Sequence, residues 1–304
     1  MIDLSIIIIN YNTSKYTIKC IESIIQFISD KIDYKIILID NCSNTNDIEF
    51  LENQLLQIDK SKIYFHKNHI NTGFGGGNMM GTQFADSKYY AFVNNDSVLL
   101  NDCFSIIIKY MELNAQFGIC GPETYNQDNM LLPTIDHFAS PAKLFFGRGI
   151  LEKINPTKYP NRKIRHDAPK RGQFISGSFM LVRSTDFWKV GGFDTNIFLY
   201  FEETDLCKRL EKINRFAFVI PEAKFIHYHG VSTPKSIEIK TELKLSLLYV
   251  IKKHYGYIWH WIILNKLRFQ FFIKSIAKPE YWPIFKVLIK GGSLEYSLKH
   301  KQKN

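Results

Sequence analysis

The sequence predicts an α/β fold in which a mainly parallel central sheet is flanked by helices and followed by a C-terminal helical extension. Short apolar runs alternate with stretches of helical periodicity over the first third of the chain, which is the pattern of βαβ units. Polar residues follow three of these runs, where the parallel strands of an open sheet bind ligands. With 304 residues, 45% of them hydrophobic, the chain has enough apolar side chains for a large core.

The predicted elements start with a strand, a helix and a second strand. Residues 4–9 are mostly isoleucine, as expected of a buried strand. Thr13 or Ser14 is a suitable N-cap for a helix in which isoleucines recur at three- and four-residue spacing. Residues 34–39 predict the second strand, which stops at polar residues.

Further elements continue this alternation. A helix is followed by a short strand at residues 63–65, a glycine-rich stretch at 71–78 that leads into another helix, and a strand at 89–93. Between residues 127 and 171 the pattern weakens into Pro, Gly and basic residues, which predicts a long mobile loop over the site. Apolar residues resume at 174–182.

The cysteines and the first residues indicate a cytoplasmic protein. The five cysteines are scattered and form no CxxC pair, so neither a zinc site nor a redox pair is predicted. Asp3 precedes the first apolar run, and no basic segment stands in front of that run. This pattern indicates a strand and not a signal peptide. No apolar run reaches the roughly 18 residues that a membrane-spanning helix needs.

The last part of the chain is basic and aromatic. Residues 240–304 contain 13 Lys and Arg against 3 Asp and Glu, and 12 aromatic residues. This composition suits an anionic membrane surface, which attracts lysines and accommodates aromatic rings among its headgroups. It suits equally a helical subdomain with a buried aromatic face and solvated lysines. No nucleic-acid-binding motif accompanies the charge, so no nucleic acid partner is expected.

Asp96 is a candidate metal ligand because it follows a buried strand together with Asn94 and Asn95. Oxygen ligands at a strand end suit Mg²⁺ or Mn²⁺ bridging a diphosphate. The triplet is equally typical of an Asx turn that closes a strand. His227 and His229 follow another apolar run and can complete a metal site, although hydrogen-bonded, half-buried histidines explain them too.

The glycine-rich stretch 71–78 admits more than one interpretation. An acidic residue, Asp96, ends a strand about twenty residues later, as in dinucleotide-binding folds. However, Asn78 stands where the third glycine of that motif belongs, and two βα units precede the stretch, which argues against a nicotinamide-dependent enzyme. Two interpretations remain: glycines that let the backbone approach a nucleotide, or a tight turn that caps a helix.

Three carboxylates occupy four consecutive positions, and all three, Glu202, Glu203 and Asp205, are candidate catalytic residues. They are expected at a helix N-terminus, where the helix dipole stabilises negative charge. Mutual repulsion and partial burial would raise the pKa of one of them, as a general base requires. Acidic residues also simply favour the first helical turn, and Arg209 is placed to pair with Asp205 on the helix face.

Taken together, eight segments make the chain resemble glycosyltransferase family 2, the inverting enzymes of the GT-A fold. The resemblance is to the bacterial branch that includes rhamnosyltransferases of surface polysaccharide synthesis. The segments occur in the family's order and read SIIIINYN (5–12), IDNCSN (39–44), NTGFGGGN (71–78), FVNNDS (92–97), GSFMLVR (177–183), VGGFD (190–194), FLYFEETDLCKR (198–209) and HYHGVS (227–232). Because all eight occur together, the weak individual signals support one another.

The resemblance implies a binding site for a nucleotide-diphosphate sugar. Asp40 would contact the nucleotide base, and Asn10, Tyr11, Asn12 and Asn41 would complete the nucleotide pocket. The remaining donor-site candidates are Gly73, Asn78, Asn94, Asn95, Ser176 and Gly177.

The same resemblance implies a metal site and a catalytic base. Asp96 would hold Mg²⁺ or Mn²⁺ on the donor diphosphate, together with His227 or, as the second choice, His229. Glu203 would remove the acceptor hydroxyl proton, with Glu202 as the alternative base. The family's Asp-x-Asp metal motif reads Asn-Asn-Asp here, which leaves one carboxylate.

We therefore expect an inverting hexosyltransferase that moves rhamnose, galactose or a similar sugar to an oligosaccharide or lipid-linked saccharide, in capsule or O-antigen synthesis. Residues 1–235 would form the catalytic domain. Residues 236–304 would form an extension, and residues 240–304 of it would contact the inner face of the membrane. The chain could also form a homodimer. The alternative is a non-catalytic nucleotide-sugar or glycan-binding protein in which the acidic cluster only binds.

Overall fold

The computed structural model describes residues 1–228, 230 and 236–302, and it confirms the α/β fold. The strands are β1 (Ile2–Asn10), β2 (Tyr34–Asp40), β3 (Ile63–Lys67), β4 (Ser87–Asn94), β5 (Ser97–Leu99), β6 (Phe117–Tyr125), β7 (Leu131–Leu132), β8 (Ile135–Asp136), β9 (Lys170–Gly172), β10 (Phe174–Ile175), β11 (Phe179–Arg183) and β12 (Phe216–His227). A ten-stranded sheet lies at its centre, and the remaining two of the twelve strands, β8 and β10, form a separate two-stranded sheet. The helices are α1 (Ser14–Phe27), α2 (Thr45–Leu55), α3 (Gly73–Thr82), α4 (Cys103–Leu113), α5 (Pro141–Phe146), α6 (Arg148–Ile154), α7 (Ser184–Lys189), α8 (Glu202–Glu211), α9 (Ile237–Ala277) and α10 (Trp282–Ile289).

The strand order brings the polar strand ends together. The order is β3-β2-β1-β4-β11-β6-β12-β5, in which β1 to β4 are mutually parallel and β11 is antiparallel to β4. Asn10 of β1 lies opposite Asp40 of β2, and Ile9 lies opposite Asn94 of β4. The carboxyl ends of β1, β2 and β4 therefore meet at one edge of the sheet, where the sequence predicts ligand binding.

Apolar clusters cover both faces of the sheet because alternate side chains of a strand point to opposite faces. Ile6 and Ile8 of β1 pack with α1, α2 and α4 in one cluster, and Ile7 packs with α7 and α8 in the other. All three isoleucines are fully buried. Parallel strands covered on both faces need continuous apolar runs, which explains the isoleucine-rich sequence of β1.

The glycine-rich stretch forms helix α3 itself and does not merely lead into a helix. Gly73 begins the helix with a φ of 74°, and a Cβ there would lie 2.0 Å from the carbonyl oxygen of Phe198. The N–H of Phe74 donates to that same oxygen at 3.0 Å. Glycine is therefore required for the contact between the start of α3 and the segment that precedes α8.

The prediction of a long loop over residues 127–171 is wrong, because this segment contains β7, β8, α5 and α6 and reaches into β9. The carboxylate of Asp136 accepts hydrogen bonds from Lys143, Arg148 and Arg162. Ion pairs to a single carboxylate thus hold much of the segment in place. The short elements escaped prediction because they are not organised by a regular apolar periodicity.

The C-terminal extension is helical and packs on the rest of the chain. Helix α9 changes direction at Gly256, whose φ is 86°. Leu248 and Ile263 of α9 join Ile284 of α10 in a third apolar cluster, which also contains Ala139 from the segment before α5. Among the helices that the structure describes, none combines the length and the apolar character needed to cross a membrane.

Candidate active site

The edge where β1, β2 and β4 end opens into a cavity of about 420 Å³, a size typical of small-molecule sites. Six predicted donor-site residues line it: Tyr11, Asn41, Gly73, Asn78, Asn94 and Asn95. Wall residues that were not predicted include Asn71, Phe74, Phe198 and Leu199, which lie within the recognised motifs, and Ser236, Glu238, Ile239, Leu298 and Gln302, which belong to the extension. Both parts of the chain therefore build the cavity.

Asn10 and Asp40 are fully buried and do not belong to the described residues that line the cavity. Nδ2 of Asn10 donates to a carboxylate oxygen of Asp40 at 2.9 Å and to one of Asp47 at 2.9 Å. The other oxygen of Asp40 accepts the backbone N–H of Ser43 at 2.9 Å. This network fixes the loop after β2 against the end of β1, and it supports the lining residue Tyr11.

Asn41 connects the end of β2 to the start of α3. Its Nδ2 donates to the carbonyl oxygen of Gly73 at 3.0 Å and to Oδ1 of Asn71 at 2.9 Å. Asn12, by contrast, is exposed, and its side-chain oxygen accepts the backbone N–H of Asn44 at 2.8 Å. Of these two predicted nucleotide contacts, Asn41 shapes the cavity, whereas Asn12 joins two loops beside it.

Ser176 and Gly177 lie between β10 and β11, behind the cavity wall. A Cβ on Gly177 would lie 3.5 Å from the ring of Phe74, which lines the cavity. Oγ of Ser176 is 3.0 Å from Oγ of Ser178. The two predicted residues therefore adjoin the wall but are not among the described residues that form it.

Asp96 and His227 come together where β4, β5 and β12 meet. Asp96 is only 2% exposed, and its Oδ1 lies 3.1 Å from Nε2 of His227. Nδ2 of Asn94 is 3.5 Å from the same nitrogen. The backbone reinforces the pair, since the N–H of Tyr228 donates to the carbonyl oxygen of Asp96 at 2.9 Å. His229, the other histidine of the prediction, lies outside the described residues.

The chemistry of this pair fits a divalent cation. A carboxylate oxygen suits Mg²⁺ and Mn²⁺ alike, and an imidazole nitrogen, a common transition-metal ligand, favours Mn²⁺ of the two. Within the part of the chain that the structure describes, no group of three or more His, Cys, Asp or Glu side chains is arranged to hold a metal. An ion bound at Asp96 and His227 would therefore take its other ligands from substrate or water.

The residues before α8 have an unusual backbone conformation. Tyr200 and Phe201 have φ values of 73° and 72°, in the left-handed region that aromatic residues rarely adopt. Hydrogen bonds on both sides hold this turn. Oγ of Ser246 in α9 donates to the carbonyl oxygen of Leu199 at 2.8 Å, and the N–H of Asp205 donates to the carbonyl oxygen of Phe201 at 2.9 Å. The turn places the acidic cluster directly after a wall of the cavity.

Glu202 and Glu203 are neighbours in different surroundings. Glu202 is 2% exposed, and burial, followed by the charge of Glu203, raises its pKa well above the usual range. A Cβ on Gly75 of α3 would lie 3.5 Å from its Cγ, so Glu202 packs behind the cavity wall. Glu203 is partly exposed. Burial raises its pKa to about 7, the charge of Asp136 raises this pKa as well, and the charge of Lys143 lowers it. Such a carboxyl suits a general base at neutral pH.

Asp205 belongs to an ion-pair network. It is fully buried, and its oxygens lie 2.7 Å from Arg209, 2.7 Å from His254 and 2.8 Å from Lys253. Burial opposes its ionisation, but the hydrogen bond with His254 and the charges of Arg209 and Lys253 hold the pKa of Asp205 well below its usual range. A carboxylate that binds protons so weakly is a poor base at neutral pH, and its contacts link α8 to α9.

Relatives of this chain with known names are glycosyltransferases. The sequence pattern of "Glycosyl transferase family 2" matches residues 5–191. Rhamnosyltransferase WbbL of Escherichia coli (strain K12) is 28% identical over 260 residues, which are 82% of this chain and 92% of WbbL. N-acetylglucosaminyl-diphospho-decaprenol L-rhamnosyltransferase of Mycobacterium tuberculosis (strain ATCC 25618 / H37Rv) is 33% identical over 145 residues, 46% of this chain and 47% of that enzyme.

Solved structures share the fold. GalNAc-T7 with UDP, GalNAc and Mn²⁺ has a TM-score of 0.64 and 12% identity, over 96% of this chain and 56% of that chain. Mannosyltransferase PcManGT from Pyrobaculum calidifontis, in complex with GDP-Man and Mn²⁺, has a TM-score of 0.58 and 10% identity, over 97% of this chain and 79% of that chain. Since the family pattern also covers more than half of its residues, this chain belongs to glycosyl transferase family 2 and is a glycosyltransferase of the GT-A fold.

Proposed function

We propose that the chain transfers a sugar, with inversion at the anomeric carbon, from a nucleotide-diphosphate donor to a hydroxyl of a saccharide acceptor. The observation that carries the proposal is Glu203, a partly exposed carboxyl with a pKa of about 7 on the helix that follows the cavity residues Phe198 and Leu199. A non-catalytic sugar-binding role is not favoured, because the chain belongs to a transferase family and binding alone does not need a carboxyl tuned to neutral pH.

In this mechanism the donor occupies the cavity and the acceptor hydroxyl approaches Glu203. The hydroxyl oxygen attacks the anomeric carbon from the face opposite the diphosphate, and Glu203 takes the hydroxyl proton. As the new C–O bond forms, the bond to the donor diphosphate breaks, and the nucleoside diphosphate leaves with that electron pair. Glu202, whose pKa burial raises well above the usual range, is not the proton acceptor, and Asp205 remains an ion-paired link between helices.

We assign Asp96 and His227 as ligands of Mg²⁺ or Mn²⁺. Their 3.1 Å separation supports this, and so does the presence of Mn²⁺ in the structures of GalNAc-T7 and PcManGT. A divalent ion bound there would neutralise the negative charge of the departing diphosphate. Asn95, the residue before Asp96, ties the end of β4 to α1, because its Nδ2 donates to Oγ1 of Thr17 at 2.7 Å.

Substitution of the two glutamates tests the base. Glu203→Gln keeps the shape of the side chain but removes the proton acceptor, and we expect transfer to fall about 10³-fold. Glu202→Gln is the matched control, since it makes the same change at the neighbouring buried glutamate, and most of the activity should remain. The measurement is release of nucleoside diphosphate by each purified variant, with thermal melting to verify folding. Full activity in Glu203→Gln and loss in Glu202→Gln would move the role to Glu202.

A thermal-shift screen of nucleotide sugars tests the donor and the metal ligand together. A ligand stabilises the fold in proportion to the logarithm of its concentration over its dissociation constant. We expect one donor among dTDP-rhamnose, UDP-galactose and UDP-glucose to raise the melting temperature, and to do so further with Mn²⁺ or Mg²⁺. Asp96→Ala should lose the metal-dependent part of this shift. A metal-dependent shift of the same size in Asp96→Ala would show that the ion binds elsewhere.

We further propose a lipid-linked saccharide as the acceptor and rhamnose as the first donor sugar to test, in the synthesis of a bacterial surface polysaccharide. WbbL and the mycobacterial relative are rhamnosyltransferases by name, and the name of the latter specifies a sugar on diphospho-decaprenol. Galactose and glucose stay in the screen as alternative donor sugars.

Contact of residues 240–304 with the inner face of the membrane is supported by one face of α9. Exposed apolar side chains recur there at helical spacing, and they form the α9 stripe: Trp261, Phe269, Phe272 and Ile276. The opposite face of the same helix segment packs into the third apolar cluster. An exposed apolar stripe beside lysines is suited to the headgroup region of a bilayer.

A further inference from the structure

Three cationic side chains from the segment between β8 and β9 surround the carboxylate of Asp136 at the end of β8. Lys143 lies 3.1 Å from Asp136, Arg148 lies 2.7 Å from it, and Arg162 lies 3.2 Å from it. The carboxylate balances one of the three positive charges, so an excess of two remains. Of the five donors on a guanidinium, Asp136 engages two on Arg148 and one on Arg162. Lys143, Arg148 and Arg162 are termed the cation cluster.

The cation cluster adjoins the proposed base. β8, which ends at Asp136, pairs with β10, and α8 packs on β10. Leu144 of α5 and Phe201, just before α8, pack against the same apolar cluster. The charges of Asp136 and Lys143 both act on Glu203. The described residues that line the cavity include neither the cation cluster nor Glu203, so the cluster and the proposed base both lie outside the cavity lining.

An exposed apolar surface lies next to the cation cluster. Helices α5 and α6 expose four large apolar side chains, which form the apolar hairpin: Phe145, Phe146, Ile150 and Ile154. Arg148 of the cluster lies within this hairpin. The ring centre of Phe145 is 6.5 Å from that of Trp259 in α9, so the apolar surface continues onto the extension. Cations beside exposed apolar side chains suit a ligand with an anionic head and an apolar chain.

We propose that the cation cluster binds the diphosphate of a lipid-linked saccharide acceptor, with the saccharide at Glu203 and the lipid chain along the apolar hairpin. This rests on the proposed function, because it takes Glu203 as the base. Guanidinium groups bind phosphate oxygens through parallel hydrogen bonds, and a lysine adds a point charge. The excess of two positive charges matches the two negative charges of a diphosphate diester. Asp136 holds the three side chains in place between turnovers.

Binding of farnesyl diphosphate tests this site without catalysis. The titration uses neutral detergent, which contains no phospholipid, and saturating UDP and dTDP to occupy the donor site. We expect Arg148→Ala/Arg162→Ala to weaken binding about 100-fold, since two charge-assisted contacts are lost. Lys163→Ala, which removes an exposed lysine adjacent to Arg162 in sequence, is the control and should bind as the wild type does. Glu203→Gln should bind farnesyl diphosphate as the wild type does. This binding test is therefore independent of the base assignment, which the nucleoside diphosphate release assay tests.

Farnesol, which has the chain but no phosphate, separates loss of the site from damage to the hairpin. We expect it to bind the wild type and the double variant equally, and Arg148→Lys/Arg162→Lys to recover about tenfold of the lost affinity for farnesyl diphosphate. Unchanged affinity of the double alanine variant for farnesyl diphosphate overturns the proposal. The proposal is also overturned if the double alanine variant loses as much affinity for farnesol as for farnesyl diphosphate. It is overturned as well if that variant binds anionic vesicles less well but keeps its affinity for farnesyl diphosphate, because the cluster would then bind phospholipid headgroups.

Discussion

Glu203 is partly buried at the start of α8, and the resulting pKa of about 7 predicts the pH dependence of sugar transfer. The carboxylate is the active form of a base, so protonation at low pH removes activity. We expect log kcat/KM to rise with a slope of about one up to about pH 7 and then to level off. The measurement is the initial rate of nucleoside diphosphate release across this range at low acceptor concentration. A rate that stays constant through neutral pH would show that another group accepts the proton.

Single residues are predictable from sequence where local structure fixes them. Asp96 closely follows the end of β4, and Glu203 lies in the first turn of α8, as the motifs predict. Asn10 and Asp40 were expected at the nucleotide, yet they are buried because their hydrogen bonds join loops some thirty residues apart, including one from Asn10 to Asp47. Such a network depends on the tertiary positions of two loops, which no local pattern specifies.

At the scale of elements, helix α8 is tied to α9 through Asp205. The sequence predicts the pairing with Arg209, because four-residue spacing places both side chains on one helix face, and the structure confirms it. Lys253 and His254 were not predicted as partners, since they lie on α9, almost fifty residues further along the chain. The short helices α5 and α6 escaped prediction for a related reason, because distant ion pairs organise their segment.

Asp205→Asn is expected to lower the free energy of unfolding by about 3 kcal/mol, because Arg209, Lys253 and His254 lose the carboxylate that they share. The pKa of Asp205 is lowered in the folded state, so its contribution is present above the ordinary carboxyl pKa and is lost as the pH falls below it. The difference between variant and wild type should therefore shrink below about pH 4. Chemical denaturation at neutral and at acidic pH measures both effects.

Glu211→Gln on the same helix is the control for that measurement. Glu211 pairs with Arg171 at 3.2 Å, and both side chains are about half exposed. Exposed pairs contribute at most about 1 kcal/mol, so this variant should be nearly as stable as the wild type. If Asp205→Asn were no more destabilising than Glu211→Gln, the buried network would not hold α8 to α9.

In the whole molecule, the extension forms part of the cavity wall. Oγ of Ser297 donates to one carboxylate oxygen of Glu242 in α9 at 2.8 Å, and the N–H of Leu298 donates to the other at 2.8 Å. This contact brings Leu298 and Gln302 to the cavity wall. Composition alone left two interpretations of the extension, a packed subdomain or a membrane surface. The structure shows a packed face of α9, as the subdomain interpretation predicts, while membrane contact through the exposed face stays a prediction.

The exposed side of α9 predicts binding to an anionic bilayer, which can be tested. Because α9 also packs into the core, its removal would expose that core, and substitutions on the α9 stripe are the sharper experiment. Phe269→Ser/Ile276→Ser should weaken binding to phosphatidylglycerol vesicles about tenfold or more, since two apolar side chains no longer enter the headgroup region. Leu113→Ser, at the exposed end of α4, is the matched control and should bind as the wild type does. Sedimentation with the vesicles gives the bound fraction, and equal binding by all three proteins would reject membrane contact through α9.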